Sequence, residues 1–433
     1  MLTTVAFLVA IAYLPGAILF RLPVADRAKR AALPAEERVF WCVVLSVGVT
    51  TTLAFLLAAM SAYSLEWLVA VNVGLSAVLT LGARGNLRFG STARRPDWTV
   101  ALPVALILCG VWMFFAVPAA EWVLGGRDPG VYMNSGIQIA QRQSLVTTDR
   151  VVADVPPEMR DLFFPYLGFT SYYSDRFMGF HIRDPKAGAV TGQFPQGYPI
   201  SIAIAYGIDG VTGARRTATW WAILGALSVF FAARRLIGAV PAAAAAALLT
   251  VHVVQTWYAR YPNSEIMTQA LLFPALLAHA YAHEDEDTFF GPVAASLLGL
   301  ALFTRFPMII AVGAAIAASL LAHVSGHRTR SGFLGTLAVW LGAAALYYTI
   351  HLEPYFSRPI TYVQSLQPIH LVPLAAAAAG FVALVWAIRR PKVAAVAHIW
   401  LPPALVVAVC VCAIYALFFR EPGGRLAAHD AHG

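Results

Sequence analysis

Three short runs in this chain hold side chains able to do chemistry. The first is Gly-Gly-Arg-Asp-Pro-Gly-Val-Tyr at 125–132, which follows an apolar stretch and so sets the Asp128 carboxylate close to lipid headgroups, with Arg127 before it and Tyr132 after it. An aspartate before proline also makes a good helix cap, so Asp128 reads either as a base or as the N-cap of a helix running through Ala140. The second run is Trp-Tyr-Ala-Arg-Tyr-Pro-Asn-Ser-Glu at 257–265, where one apolar stretch ends and the next begins. Ionisable groups at membrane depth are costly and face a cavity or pathway by default, which makes Glu265 beside Arg260 a functional candidate; the plainer reading is a structural Arg–Glu pair. The third is Thr-Arg-Phe-Pro at 304–307, with no acid beside the arginine in sequence. A guanidinium there can hold a phosphate through two parallel hydrogen bonds, or it can simply snorkel to headgroups.

Taken together, the runs supply a carboxylate to accept a proton from a hydroxyl, a second carboxylate, and arginines for a phosphate leaving group. Glycosyl transfer from a phospholipid requires that set. No metal-ligand spacing stands out, although Asp128 and Glu265 could share a divalent cation if the fold brings them together. A rival reading is a transporter or flippase of a lipid-linked or anionic envelope precursor, using the same arginines without chemistry. A third is a structural subunit in which Asp128 only caps. The long loop at 119–199 favours an acceptor site, since a transporter has little need of so much chain on one side.

The elements that must position these residues are helices in a membrane. Of 433 residues, 59% are hydrophobic and 12% charged, against about 25% charged in a soluble domain, which excludes a water-soluble fold. A run of about 20 apolar residues crosses the hydrocarbon as a helix because every backbone amide must find its partner within the segment. Runs at 2–20, 39–60, 66–81, 98–118, 217–233, 240–257, 266–283, 289–303, 306–323, 333–350, 371–388 and 397–419 predict an all-α polytopic membrane protein with about twelve transmembrane helices. A shorter apolar stretch at 199–213 predicts a re-entrant or interfacial segment. The first run lacks a charged leader and reads as a retained helix. Alanine runs at 242–247 and 375–379 suit close helix packing.

The net charge of +8 is spread through short connections, so it marks topology and not a nucleic-acid surface. Arg27, Lys29, Arg30, Arg84, Arg88, Arg94, Arg95, Arg234, Arg235, Arg328, Arg330 and Lys392 fall on one side, which the positive-inside rule makes cytoplasmic. The 119–199 loop is then extracytoplasmic. One acidic connection, 283–287, fits this count less well. All four cysteines lie in apolar runs, so no disulfide framework is expected.

From about 98 to about 370, the ordered motifs resemble the C-type superfamily of membrane glycosyltransferases, especially the branch of protein O-mannosyltransferases and the lipid A aminoarabinose transferase. The resemblance implies Asp128 as catalytic base and matches a Pro-x-Tyr-Pro motif to Gln-Phe-Pro-Gln-Gly-Tyr-Pro at 193–199, which brings in Tyr198. It implies Arg260 and Glu265 as the family's arginine-rich turn and following acid, and Arg305 as the donor-phosphate contact. It implies a polyprenyl-phosphate-sugar donor, a glycan, lipid or protein acceptor, and a multi-pass plasma-membrane enzyme with its site outside. On this reading 1–97 is a three-helix extension, 98–370 the core, and 371–433 a C-terminal pair of helices and tail. The chain departs from the family where Arg-Asp-Pro replaces a paired Asp-Glu, and where Arg305 stands in place of lysine.

Overall fold

The computed structural model describes residues 2–24, 26–89, 110, 118–125, 127–165, 176–324, 331–357 and 390–414, with scattered positions from 372 to 387. Most of the expected runs at 98–118 and 371–388 lies outside the described residues, as do Arg94, Arg95, Arg328 and Arg330. The chain divides into two units, Met1–Ile316 with Arg330–Ser365, and Ala317–Thr329 with Leu366–Gly433. The candidate residues all belong to the first.

Numbering those of six residues or more, the helices that begin in the first unit are α1 (Leu2–Ala12), α2 (Leu14–Arg21), α3 (Arg27–Ala32), α4 (Ala35–Ala59), α5 (Leu65–Gly82), α6 (Asp128–Arg142), α7 (Gly197–Ile237), α8 (Ala239–Val251), α9 (Val253–Tyr258), α10 (Ser264–His283), α11 (Phe290–Leu302), α12 (Ile309–Val324) and α13 (Ser331–Ile350). The second unit holds α14 (Pro391–Ile414). Among the described residues, five helical stretches are long and apolar enough to cross a membrane: Ala35–Ala59, Leu65–Gly82, Gly197–Ile237, Phe306–His323 and Gly332–Ile350.

Local signals account for these boundaries. Glu36 and Glu37 occupy the first turn of α4, where acids complement the helix dipole, and Ser64 caps α5 by accepting from the Trp67 amide at 3.1 Å. Small residues line the buried seam of α10 and α11, where Ala270, Ala275, Ala278, Ala294, Ala295 and Ala301 are all in the core. Small side chains let backbones approach closely in a bundle.

Helix α7 is interrupted at Asp209 and Gly210, and Gly210 has φ of +55°, a left-handed value that glycine adopts without Cβ strain. The part before the break, which contains the short apolar stretch 199–213 up to that point, buries Ile200 and Ala203 against Ala54, Ala58, Tyr63 and Leu68. The part after it buries Ala218, Trp221 and Ala222 in the main core with α10.

The sequence reading expected helices alone, and here the structure differs. The long loop carries a four-stranded antiparallel sheet of order β1–β4–β3–β2, made from β1 (Val146–Thr148), β2 (Arg176–Phe177), β3 (Phe180–Asp184) and β4 (Ala189–Gly192). Val152, Phe164, Phe180 and Val190 form its own small core. Two further short helices, Arg150–Asp154 and Arg160–Phe163, belong to this region. Its polar residues serve local turns: Asp149 accepts from the Val151 amide at 2.8 Å, and Asp184 from the Lys186 amide at 2.8 Å.

Candidate functional site

The site is built from four segments that meet at the N-terminal end of α10. Helix α6 begins at Asp128, with Pro129 in its first turn; the cap position falls on Arg127, whose side chain makes no cap hydrogen bond. The expected cap role therefore does not consume the Asp128 carboxylate. Gly130 makes this turn possible, because a Cβ there would lie 1.7 Å from the Leu124 carbonyl oxygen. The helix then docks on α10 through Tyr132, whose hydroxyl lies 3.0 Å from the Ser264 hydroxyl, and whose ring stacks on Phe194 at 4.7 Å.

Asn263 caps α10 by accepting from the Ser264 amide at 2.8 Å, and Glu265 follows in the first turn. The third segment is the turn after α11. Arg305 is extended there, with Pro307 opening a 3-10 turn behind it. Its guanidinium pairs with Glu265, forty residues away in the chain. Sequence alone showed this arginine without an acid and gave Glu265 to Arg260; the fold exchanges those partners. Arg305 and Glu265 keep 34% and 37% of their side chains exposed, so the pair is open to a ligand and is not a sealed core bridge. The second Glu265 carboxylate oxygen is buried and makes no hydrogen bond among the described residues.

Asp128 shares the electrostatic field of this pair. Protein burial on one side and the negative charge of Glu265 push its pKa above the ordinary value, with Arg305 and Arg127 pulling the other way. Its residue remains exposed to solvent on the other side. Tyr261 feels the same carboxylates: burial, then Asp128, raises its pKa. The fourth segment is the turn after α13, where Tyr355 lies within electrostatic reach of both Tyr132 and Arg305 and stacks on Tyr348 at 6.3 Å.

Other expected contacts fall differently. Tyr198 is wholly buried, with its ring edge-on to Tyr132 at 5.5 Å, and Tyr132 is also buried. Enclosed as they are, these two candidate residues hold the segments together. The Gly197 amide donates to the Phe303 carbonyl at 2.7 Å and the Gln196 amide to the Tyr347 hydroxyl at 3.0 Å, so the 193–199 run braces the Arg305 turn. Arg260 is half-buried, makes no ion pair among the described residues, and contributes its carbonyl to the Ala120 amide at 3.2 Å. Among the described residues no group of three or more His, Cys, Asp or Glu gathers to hold a metal, so a divalent cation between Asp128 and Glu265 would draw its remaining oxygens from water or substrate.

Sequence reasoning missed an aromatic group at the mouth of the site. Tyr261 stacks on Trp257 at 5.8 Å and meets Trp122 edge-on at 5.4 Å. The signal was the density of Trp and Tyr at 257–261, which by itself also fits an interfacial belt.

Compared with protein-family models, curated proteins and solved structures, the chain matches none.

Proposed function

We propose that the chain is a membrane glycosyltransferase, moving a sugar from a polyprenyl-phosphate donor to an acceptor hydroxyl on the extracytoplasmic side. The observation that carries this reading is the meeting of Asp128, Glu265 and Arg305, from three distant segments, at one end of α10. Asp128 takes the proton from the acceptor hydroxyl as its oxygen attacks the anomeric carbon. The bond from that carbon to the phosphate oxygen breaks, and the phosphate leaves with the electron pair. Attack from the face opposite the phosphate inverts the anomeric centre.

A base works best when its pKa approaches the working pH. Burial and Glu265 move Asp128 in that direction. Arg305 serves the leaving phosphate; a guanidinium has five N–H donors in a fork, enough to keep Glu265 and grip a phosphate as well. Arg260 and Arg127 are the further cations beside this end of the bundle. The charge count along the chain supports an outward-facing site, since Arg234 and Arg235 close the helix that begins near Tyr198. The acceptor is a glycan, lipid or protein hydroxyl.

The test is to incubate membranes containing the chain with candidate polyprenyl-phosphate sugars and measure release of polyprenyl phosphate. Release that depends on acceptor supports transfer. Movement of donor across proteoliposomes without its turnover would replace the enzyme by a transporter of a lipid-linked anion.

A further inference from the structure

A second cluster of arginines lies outside this site, around a single ring. The guanidinium carbons of Arg21, Arg27 and Arg38 stand 6.0, 5.7 and 5.8 Å from the centre of Phe89. They come from the end of α2, the start of α3 and the first turns of α4. A ring face attracts one cation well, but three positive groups about one ring repel each other unless an anion joins them.

No carboxylate among the described residues pairs with any of the three. Arg21 donates to the Ala17 carbonyl at 2.8 Å and to Cys42 Sγ at 3.6 Å; Arg27 donates to Asn86 Oδ1 at 3.1 Å and to the Arg88 carbonyl at 2.8 Å. Arg27 Nε is buried without a partner among the described residues. The Arg38 side chain makes neither a hydrogen bond nor an ion pair among the described residues. Nearby arginines are treated differently: Arg234 meets Glu36 and Glu37, and Arg235 meets Glu284 and Asp285. Val24, three residues before Arg27, and Val39, next to Arg38 in the chain, are both exposed.

We propose that Arg21, Arg27 and Arg38 bind the phosphate of an anionic lipid headgroup, whose acyl chains lie along the exposed valines. Arginine forks suit phosphate oxygens, and basic pockets between helices on the cytoplasmic side hold such headgroups. The neutral carbonyl and amide partners of Arg21 and Arg27 orient the forks without cancelling their charge. This site is independent of any transfer activity.

The experiment is to reconstitute the full chain in nanodiscs of phosphatidylcholine with a minor share of phosphatidylglycerol, and to measure by native mass spectrometry the lipid retained on release. Wild type is expected to enrich phosphatidylglycerol, and Arg38→Gln to lose enrichment on the order of fivefold, with a similar further loss on adding Arg27→Gln. Arg38→Gln carries the test by itself, since it removes no hydrogen bond. Arg84→Gln, an equal change of charge on an exposed turn, is expected to leave enrichment intact. Equal enrichment in wild type and Arg38→Gln overturns the proposal, and so does binding of inorganic phosphate with no enrichment of phosphatidylglycerol.

Discussion

The two ends of α10 handle charge in opposite ways, about 30 Å apart along its twenty residues. At the C-terminal end, two arginines of α7 are matched by four carboxylates, and Glu37 also accepts from the Tyr281 hydroxyl at 2.5 Å and the Trp41 indole at 3.4 Å. Asp26 beside it takes Lys29 and the Thr288 amide and hydroxyl. At the N-terminal end, Glu265 pairs with Arg305 while its second oxygen has no donor among the described residues, and the solvent-exposed Asp128 feels both partners without an ion pair of its own among the described residues. Charge matched by a partner holds helices together; a carboxylate without one is available to a ligand, at a cost in stability.

That contrast can be broken or sharpened by substitution at either end. The largest expected effect is at Asp128: Asp128→Asn should lower donor turnover by about a thousandfold, the scale of a lost general base. Its melting temperature should rise slightly. A carboxylate whose pKa is raised by folding favours the folded state below its unfolded pKa, and that advantage is lost as pH rises through the folded pKa. At neutral pH the ionised group therefore opposes folding, and asparagine relieves this. A drop in both turnover and melting temperature would place Asp128 with the structural charges instead.

Next in size, Glu37→Ala at the other end should cost about 3 kcal/mol, because Arg234, Tyr281 and Trp41 lose a buried acceptor. Thermal unfolding in detergent would read the loss, while turnover per folded molecule stays unchanged. Gly130→Ala comes third, at about 2 kcal/mol, since its methyl would overlap the Leu124 carbonyl and push α6 off its seat. Turnover should fall with it, since Asp128 is carried on that turn.

The smallest effect is a shift in pH dependence. On the proposed mechanism activity needs ionised Asp128, so it should fall on the acid side as Asp128 protonates. Glu265→Gln removes a negative neighbour, lowers the Asp128 pKa and moves that acid limb to lower pH. A profile that stays in place would show that the two carboxylates do not interact.

The division between what sequence conveyed and what it hid follows the range of the interactions. Apolar runs are local, so α4, α5, α12 and α13 were legible from hydropathy alone as helices long and apolar enough to cross a membrane. The break near Gly210 was legible only as a short stretch with wrong length. Asp128, Glu265 and Arg305 each stood out because charge beside apolar chain is rare. Their pairing was not legible, because the Glu265–Arg305 bridge links segments forty residues apart and overrides the nearer Arg260. Strands of two to five residues fall below the length at which alternation can be seen. The acidic 283–287 connection fitted the charge count poorly until Arg235 supplied its partner.

The interruption at Asp209 and Gly210 has a consequence for how this architecture tolerates change. An unbroken helix of forty-one residues would measure about 60 Å, and removal of one residue anywhere along it would turn everything beyond by about 100°. With the pivot in place, a deletion on the carboxyl side of Gly210 rotates the crossing rod alone, while the Phe303 and Tyr347 anchors keep the amino side in register. The length of the rod is thereby uncoupled from the packing around Arg305.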